Sequence, residues 1–228
     1  MFQIIIKGFI WYCTASLVFI SCVSTANREK SKSFCPYDVN DHLEYWNYGI
    51  IVLTDGSKEE SEAYNIYEVV SVEQTPEGTV VQFKNYYSDS TGVMEEYDIK
   101  FIYGENKVYL IRQNGNLDSL KFSLSDNQPS TLEDYIDSLG YHHRIKIEDN
   151  NASVQTKKGR LFEGCLKLVE IIYEPEKSPK DFVFQKISYY KDTILVKYTS
   201  INRMEADKGI KELRTESHLE GYNVFAWR

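Results

Sequence analysis

Positive charge, proline, glycine and histidine are all in short supply in this chain of 228 residues. Lys and Arg number 26 against 34 Asp and Glu, for a net charge of −8. That deficit argues against nucleic acid as a partner, because binding it requires a basic surface to neutralise phosphates. The densest basic run, KKGR at 157–160, reads as a solvated turn. There is no Gly-rich phosphate loop and no nucleophile elbow, so two common catalytic architectures have no foothold. Of the four histidines, His142 and His143 are adjacent and would face opposite sides of a strand, while His42 and His218 stand far away in sequence. No metal or cofactor site is expected, and no enzymatic activity. Beyond residue 22 no apolar run is long enough to cross a bilayer.

What the chain does have is aromatic rings: 18 Tyr and 11 Phe beside only 5 Pro and 12 Gly. Together with Val and Ile these rings favour strands, whose pleated, half-buried surface they cover well. The β-rich runs 43–54, 63–74, 80–88, 94–104 and 108–113 are separated by short turn signals such as DGS (55–57) and TPEGT (75–79). Turns this short force each strand to pair antiparallel with the one before it. Strand patterns resume at 142–148, 160–173, 182–190, 193–200 and 210–225. Between the two sets, STLEDYIDSLG (130–140) predicts one short helix. Ser130 would cap it with Glu133 three residues on, Leu132, Tyr135, Ile136 and Leu139 would share a face, and Gly140 would end it. Glu133 and Asp137 would then stand at i and i+4, where the helix macrodipole favours acids near the N-terminus. The expected fold is mainly β: one antiparallel meander, a curved sheet or half-barrel of roughly ten strands with that helix packed on it.

The first 21 residues differ from the rest, with one cation, Lys7, and an apolar stretch from Gly8 to Ile20. This is the pattern of an export signal. FISC (19–22) fits a lipoprotein signal in which Cys22 takes the lipid and becomes the first mature residue. Ser24 and Ala26 offer a rival site, with cleavage after Ala26 releasing a soluble periplasmic protein. A polar, Ser- and Lys-rich stretch, VSTANREKSKS (23–33), suits a flexible tether. The expected organisation is a signal peptide at 1–21, a tether at 22–33 and a β-rich domain at 34–228. Removing the signal leaves Cys22, Cys35 and Cys165, an odd number. If Cys22 carries lipid, Cys35 and Cys165 can form a disulfide; the alternative is a free, buried Cys165 serving as a small apolar residue.

TKKGRLFEGCLKLVE (156–170) resembles a segment of the TapB-like group of exported bacterial β-rich proteins, with Gly159, Phe162 and Cys165 at matching positions. ISYYKDTILVKYTS (187–200) resembles the late hairpin of that group. There Ile194, Leu195, Val196 and Lys197 match, while Asp192 and Thr193 stand where the group shows glycine. FCPYDVNDHLEYWNYG (34–49) is similar to its opening strand. The resemblance implies an envelope protein, often a lipoprotein, and implies no catalytic residues. The expected partners are a membrane, through the anchored Cys22 at the outer membrane, and an apolar ligand or an envelope protein. Tyr45, Trp46, Tyr48, Tyr86, Tyr87, Tyr189 and Tyr190 could line a slot for an acyl chain, as in a periplasmic carrier, or could simply fill the core.

Overall fold

The computed structural model describes residues 35–89, 92, 94–104, 108–111, 117–120, 129–192, 194–203, 209–224 and 227. The signal segment, the tether and Cys22 lie outside these residues, so the expectations for them do too. Twelve strands form one sheet: β1 (His42–Leu53), β2 (Lys58–Thr75), β3 (Gly78–Asp89), β4 (Met94–Tyr103), β5 (Val108–Ile111), β6 (Leu117–Leu120), β7 (Ser130–Ile136), β8 (His142–Gln155), β9 (Leu161–Tyr173), β10 (Phe184–Lys191), β11 (Ile194–Asn202) and β12 (Ile210–Asn223). The strand order is β6-β5-β4-β3-β2-β1-β12-β11-β10-β9-β8-β7, antiparallel throughout. The chain runs outward from the centre through β1–β6, then returns from the opposite edge through β7–β12. Among the described strands the one non-local seam is the pairing of β1 with β12, from His42↔Asn223 to Leu53↔Ile210.

Covalent reach requires this sheet to curl. Twelve flat strands at ~4.8 Å spacing would separate β6 from β7 by roughly 53 Å. The chain from Leu120 to Ser130 spans at most about 36 Å. Among the described residues the two edges are unpaired, so the result is an open, coiled sheet and not a closed barrel. Cross-strand partners point to the same face, and the register sorts the side chains accordingly. Leu43, Tyr67 and Asn85 share the inner face with Tyr45, Asn65 and Leu219, while Trp46, Tyr64 and His218 share the outer one. Inner-face residues from both halves of the sheet build one core: Tyr45, Tyr67, Phe83 and Phe101 from β1–β4 join Ile147, Cys165, Leu168, Leu195 and Leu219. Tyr37, ahead of β1, lays its ring edge-on against Phe83 at 5.0 Å.

The predicted helix is absent. Residues Ser130–Ile136 form the edge strand β7, paired with β8 from Ser130↔Ile147 to Ile136↔His142. Eight to ten residues make a marginal helix, whereas β8 offers a ready ladder of backbone partners. The intended apolar face is also left in water: Leu139 is 78% exposed and Ile136 59%. The Asp137 carboxylate accepts from the backbone N–H groups of Leu139 and Tyr141, each at 2.9 Å, so it caps a turn and not a helix. The described chain contains one short 3-10 turn, Pro179–Asp181. The disulfide is not formed either. Cys35 and Cys165 are free thiols, and burial pushes each up to about 11. Cys165 takes the alternative role, as a small apolar residue in the core.

Candidate interaction face

The inner face is filled by the protein's own rings. Tyr45, Tyr67, Phe83, Phe101 and Tyr103 are each at most 1% exposed, and the Tyr45 hydroxyl donates to the Leu195 carbonyl at 2.7 Å. Beside these rings runs a polar row. Asn47 Nδ2 donates to Asn65 Oδ1 at 2.8 Å, and Asn65 Nδ2 donates to Asn85 Oδ1 at 3.2 Å. This ladder ties β1, β2 and β3 together at one register and ends on a buried Asn85 Nδ2 with no acceptor. Further along the same face, Ile145, Ile172 and Phe184 are only half-buried.

The aromatic residues singled out in the sequence fall on both faces, as period-two alternation requires. Tyr45, Tyr87 and Tyr190 are buried, Tyr189 packs half-buried against the core, and Trp46, Tyr48 and Tyr86 lie on the outer face. Outside, β2 presents Tyr64 at 49% exposure, Ile66 at 39% and Val70 at 40%. Tyr64 is opposite the buried Trp46, and Ile66 is opposite both Glu44 and Tyr86, so Tyr64 and Ile66 together with the half-buried Tyr48 and Tyr86 form a band across β1, β2 and β3. Tyr64, Ile66 and Val70 were missed as site residues. Their exposure was legible only in the alternation within AYNIYEVVSVEQ (63–74).

The band is electrostatically asymmetric. Tyr48 faces Glu62 on one side and Glu216 on the other. A hydrogen bond to Glu60, with the charges of Glu60, Glu62 and Glu216, raises the Tyr48 phenol above its ordinary value. The Trp46 and Tyr48 rings are stacked, 5.6 Å apart and inclined by 7°. Lys157 sets its ammonium 4.4 Å from the Trp46 ring centre and 5.8 Å from that of Tyr48.

Lys157 arrives there because the β8–β9 hairpin bends. Three register shifts between Ile147 and Val154 carry its turn to β12, three places from β9 in the sheet. The turn is latched by specific bonds. Lys158 N donates to Glu220 Oε1 and Thr156 Oγ1 to Glu220 Oε2, each at 3.1 Å. Lys157 N donates to His218 Nδ1 at 3.1 Å, while His218 Nε2 sits 3.2 Å from Glu216. Arg160 stacks on Tyr222, 4.7 Å from its ring centre. The basic run expected to be a solvated turn is thus a docked one. Gly159 supplies its left-handed backbone at φ 85°, and Phe162 and Cys165 follow on β9, both buried.

His142 and His143 take opposite faces of β8. His142 pairs with Asp134, which also accepts from Arg144 Nε at 2.9 Å, and His143 pairs with Asp137 at 2.8 Å. Bonds to these partners hold both aspartates below the usual carboxylate range, with His142 and then Arg144 acting on Asp134, and His143 and then the turn amides on Asp137. The two pairs clamp β7 onto β8. Among the described residues, no group of three His, Cys, Asp or Glu side chains is placed to hold a metal.

Fold and surface together define an open, coiled antiparallel sheet with a packed inner face and an exposed aromatic band outside. No family model and no curated protein sequence matches the chain. Among solved structures it is similar to a candidate lipoprotein from Parabacteroides distasonis, with a TM-score of 0.48 and 15% identity over 86% of this chain and 100% of that one. It is also similar to a candidate exported protein with a YmcC-like fold from Bacteroides fragilis, with a TM-score of 0.47 and 13% identity over 85% and 100%. A β-barrel-like protein of a domain of unknown function from Brucella abortus follows, with a TM-score of 0.34 and 7% identity over 82% and 99%.

Proposed function

We propose that this protein is an exported, lipid-anchored binding domain of the cell envelope, without catalytic activity, which holds a partner on the outer face of β1–β3. The carrying observation is the exposure of the same-face neighbours Tyr64 and Ile66, with half-buried Tyr48 and Tyr86 alongside and Val70 exposed beyond Glu68. Contiguous apolar surface in water is characteristic of interaction sites. Export rests on residues 1–21, and the anchor at the outer membrane on Cys22 directly after FIS. The TapB-like motifs agree with an envelope location.

Placing a photo-crosslinking amino acid at Tyr64 in cells tests the binding reading. A discrete adduct from Tyr64, with none from the exposed Glu77, is the expected result. Adducts from neither position would remove the band as an interaction face. Labelling with a palmitate analogue tests the anchor: the label should appear on the natural chain and vanish in Cys22→Ala.

A second reading, carriage of an apolar lipid or lipoprotein acyl chain, is favoured by the half-buried Ile145, Ile172 and Phe184 on the inner face. It requires an equimolar acyl chain in organic extracts of the purified protein.

A further inference from the structure

The binding reading leaves the partner's chemistry open, and the charge around the aromatic band narrows it. We infer that the Tyr48–Tyr64 part of the outer face docks a cationic segment of a partner protein, whose Lys or Arg side chains lie on the rings between Glu60, Glu62 and Glu216. The inference rests on the proposal that the band is a binding face.

Three observations support it. The first is the ring arrangement. Tyr64, 49% exposed, is the cross-strand partner of Trp46, which places a further ring on β2 beside the stacked Trp46–Tyr48 pair. A ring face attracts ammonium and guanidinium groups through its quadrupole. The second is charge. Glu62 and Glu216 are the two cross-strand neighbours of Tyr48, and Glu60 bonds to its hydroxyl. Lys157 is turned to the Trp46 end, and Arg214, beside Ile50 in the next register pair, is taken up by Glu212, so the three carboxylates leave the exposed end of the platform negative. The third is internal. The chain already seats one ammonium on this platform, that of Lys157, which demonstrates the geometry a partner's lysine would repeat one ring further on. A neutral or acidic partner would leave these carboxylates desolvated without compensation.

The test measures fluorescence anisotropy of a labelled eight-residue Lys/Gly peptide and its Glu/Gly counterpart, titrated with the full mature protein. The Lys peptide should bind, weaken as salt rises and outcompete the Glu peptide by at least tenfold. Tyr48→Leu and Glu62→Gln should each weaken it by fivefold or more, Tyr48→Trp should retain binding, and Glu77→Gln, away from the band, should leave it unchanged. Circular dichroism confirms that each variant is folded. Binding that ignores Tyr48→Leu and Glu62→Gln would reflect only the net charge of −8 and would overturn the inference. Equal binding of both peptides would overturn it as well. A Tyr64 crosslink in cells without preference for the Lys peptide sinks this inference and leaves the binding reading standing; loss of both sinks both.

Discussion

Two buried tyrosines differ in one atom's surroundings, and that difference predicts opposite mutational signs. Tyr45 donates its hydroxyl to the Leu195 carbonyl, joining β1 to β11 across the core. Tyr67 is equally buried, but its hydroxyl has no partner. Removing a satisfied buried hydrogen bond costs about 1 kcal/mol, whereas removing an unsatisfied polar atom recovers a desolvation cost of similar size. Tyr45→Phe should therefore lower the denaturation midpoint and Tyr67→Phe raise it, in the same urea titration. Asp192 offers a third case. Its φ is 46°, in the left-handed region that glycine enters without strain. Its Oδ2 accepts from the Trp227 indole N–H at 3.0 Å, which offsets that strain. Asp192→Ala keeps the strain and loses the bond, so it should destabilise by about 1–2 kcal/mol. Asp192→Gly loses both and should fall closer to neutral.

At the scale of the element, the docked β8–β9 turn carries a built-in pH dependence. His218 Nδ1 accepts the Lys157 amide, so this nitrogen must be unprotonated. Burial pushes the His218 imidazole below its ordinary value, with Lys197 acting in the same direction and Glu216 and Glu220 opposing. A histidine whose folded pKa is depressed contributes stability that is complete above the unfolded value of about 6.5 and is lost as pH falls through the folded value. Protection factors of the Lys157 and Lys158 amides, taken relative to the intrinsic exchange rate at each pH, should therefore fall on going from pH 7.5 to 5. In His218→Asn that fall should disappear, leaving a turn that is weakly protected at both pH values. The nearby 130–140 segment marks where element-scale reading failed. Its spacing of Leu132, Tyr135, Ile136 and Leu139 suits a helix, but no surface was available to bury that face, and the backbone of β8 was. The same holds for KKGR: its composition suggests solvent, and only the bend in β8 and β9 brings Glu220 and His218 to its amides.

For the molecule as a whole, strand succession was the most legible property. Short turns compel antiparallel neighbours, and ten of the twelve described strands overlap the expected runs, while β7 replaces the expected helix and β6 falls outside them. The join between the two halves of the sheet was not legible, because the β1–β12 seam joins His42 to Asn223 and no local signal announces so distant a pairing. The proposed binding face was legible only in part: the aromatic runs were visible, but which rings face water depends on which side of the sheet carries the core. The β2–β3 turn is the most exacting point of the meander. Gly78 adopts φ 142°, and a Cβ there would lie 2.3 Å from the Tyr103 carbonyl oxygen. Gly78→Ala should cost about 2–3 kcal/mol, since backbone on β4 must move to admit it.

The β1–β12 seam has one more consequence. It sets the two ends of the described domain side by side, while the consecutive strands β6 and β7 lie at opposite edges of the sheet. A circular permutant that joined the ends with a short linker and opened the chain between β6 and β7 would keep every strand neighbour. What is now the slowest loop to close would become a tight hairpin, and the contact order of the whole sheet would fall. Such a chain should reach the same fold faster than the natural one, with its assembly growing outward from the centre.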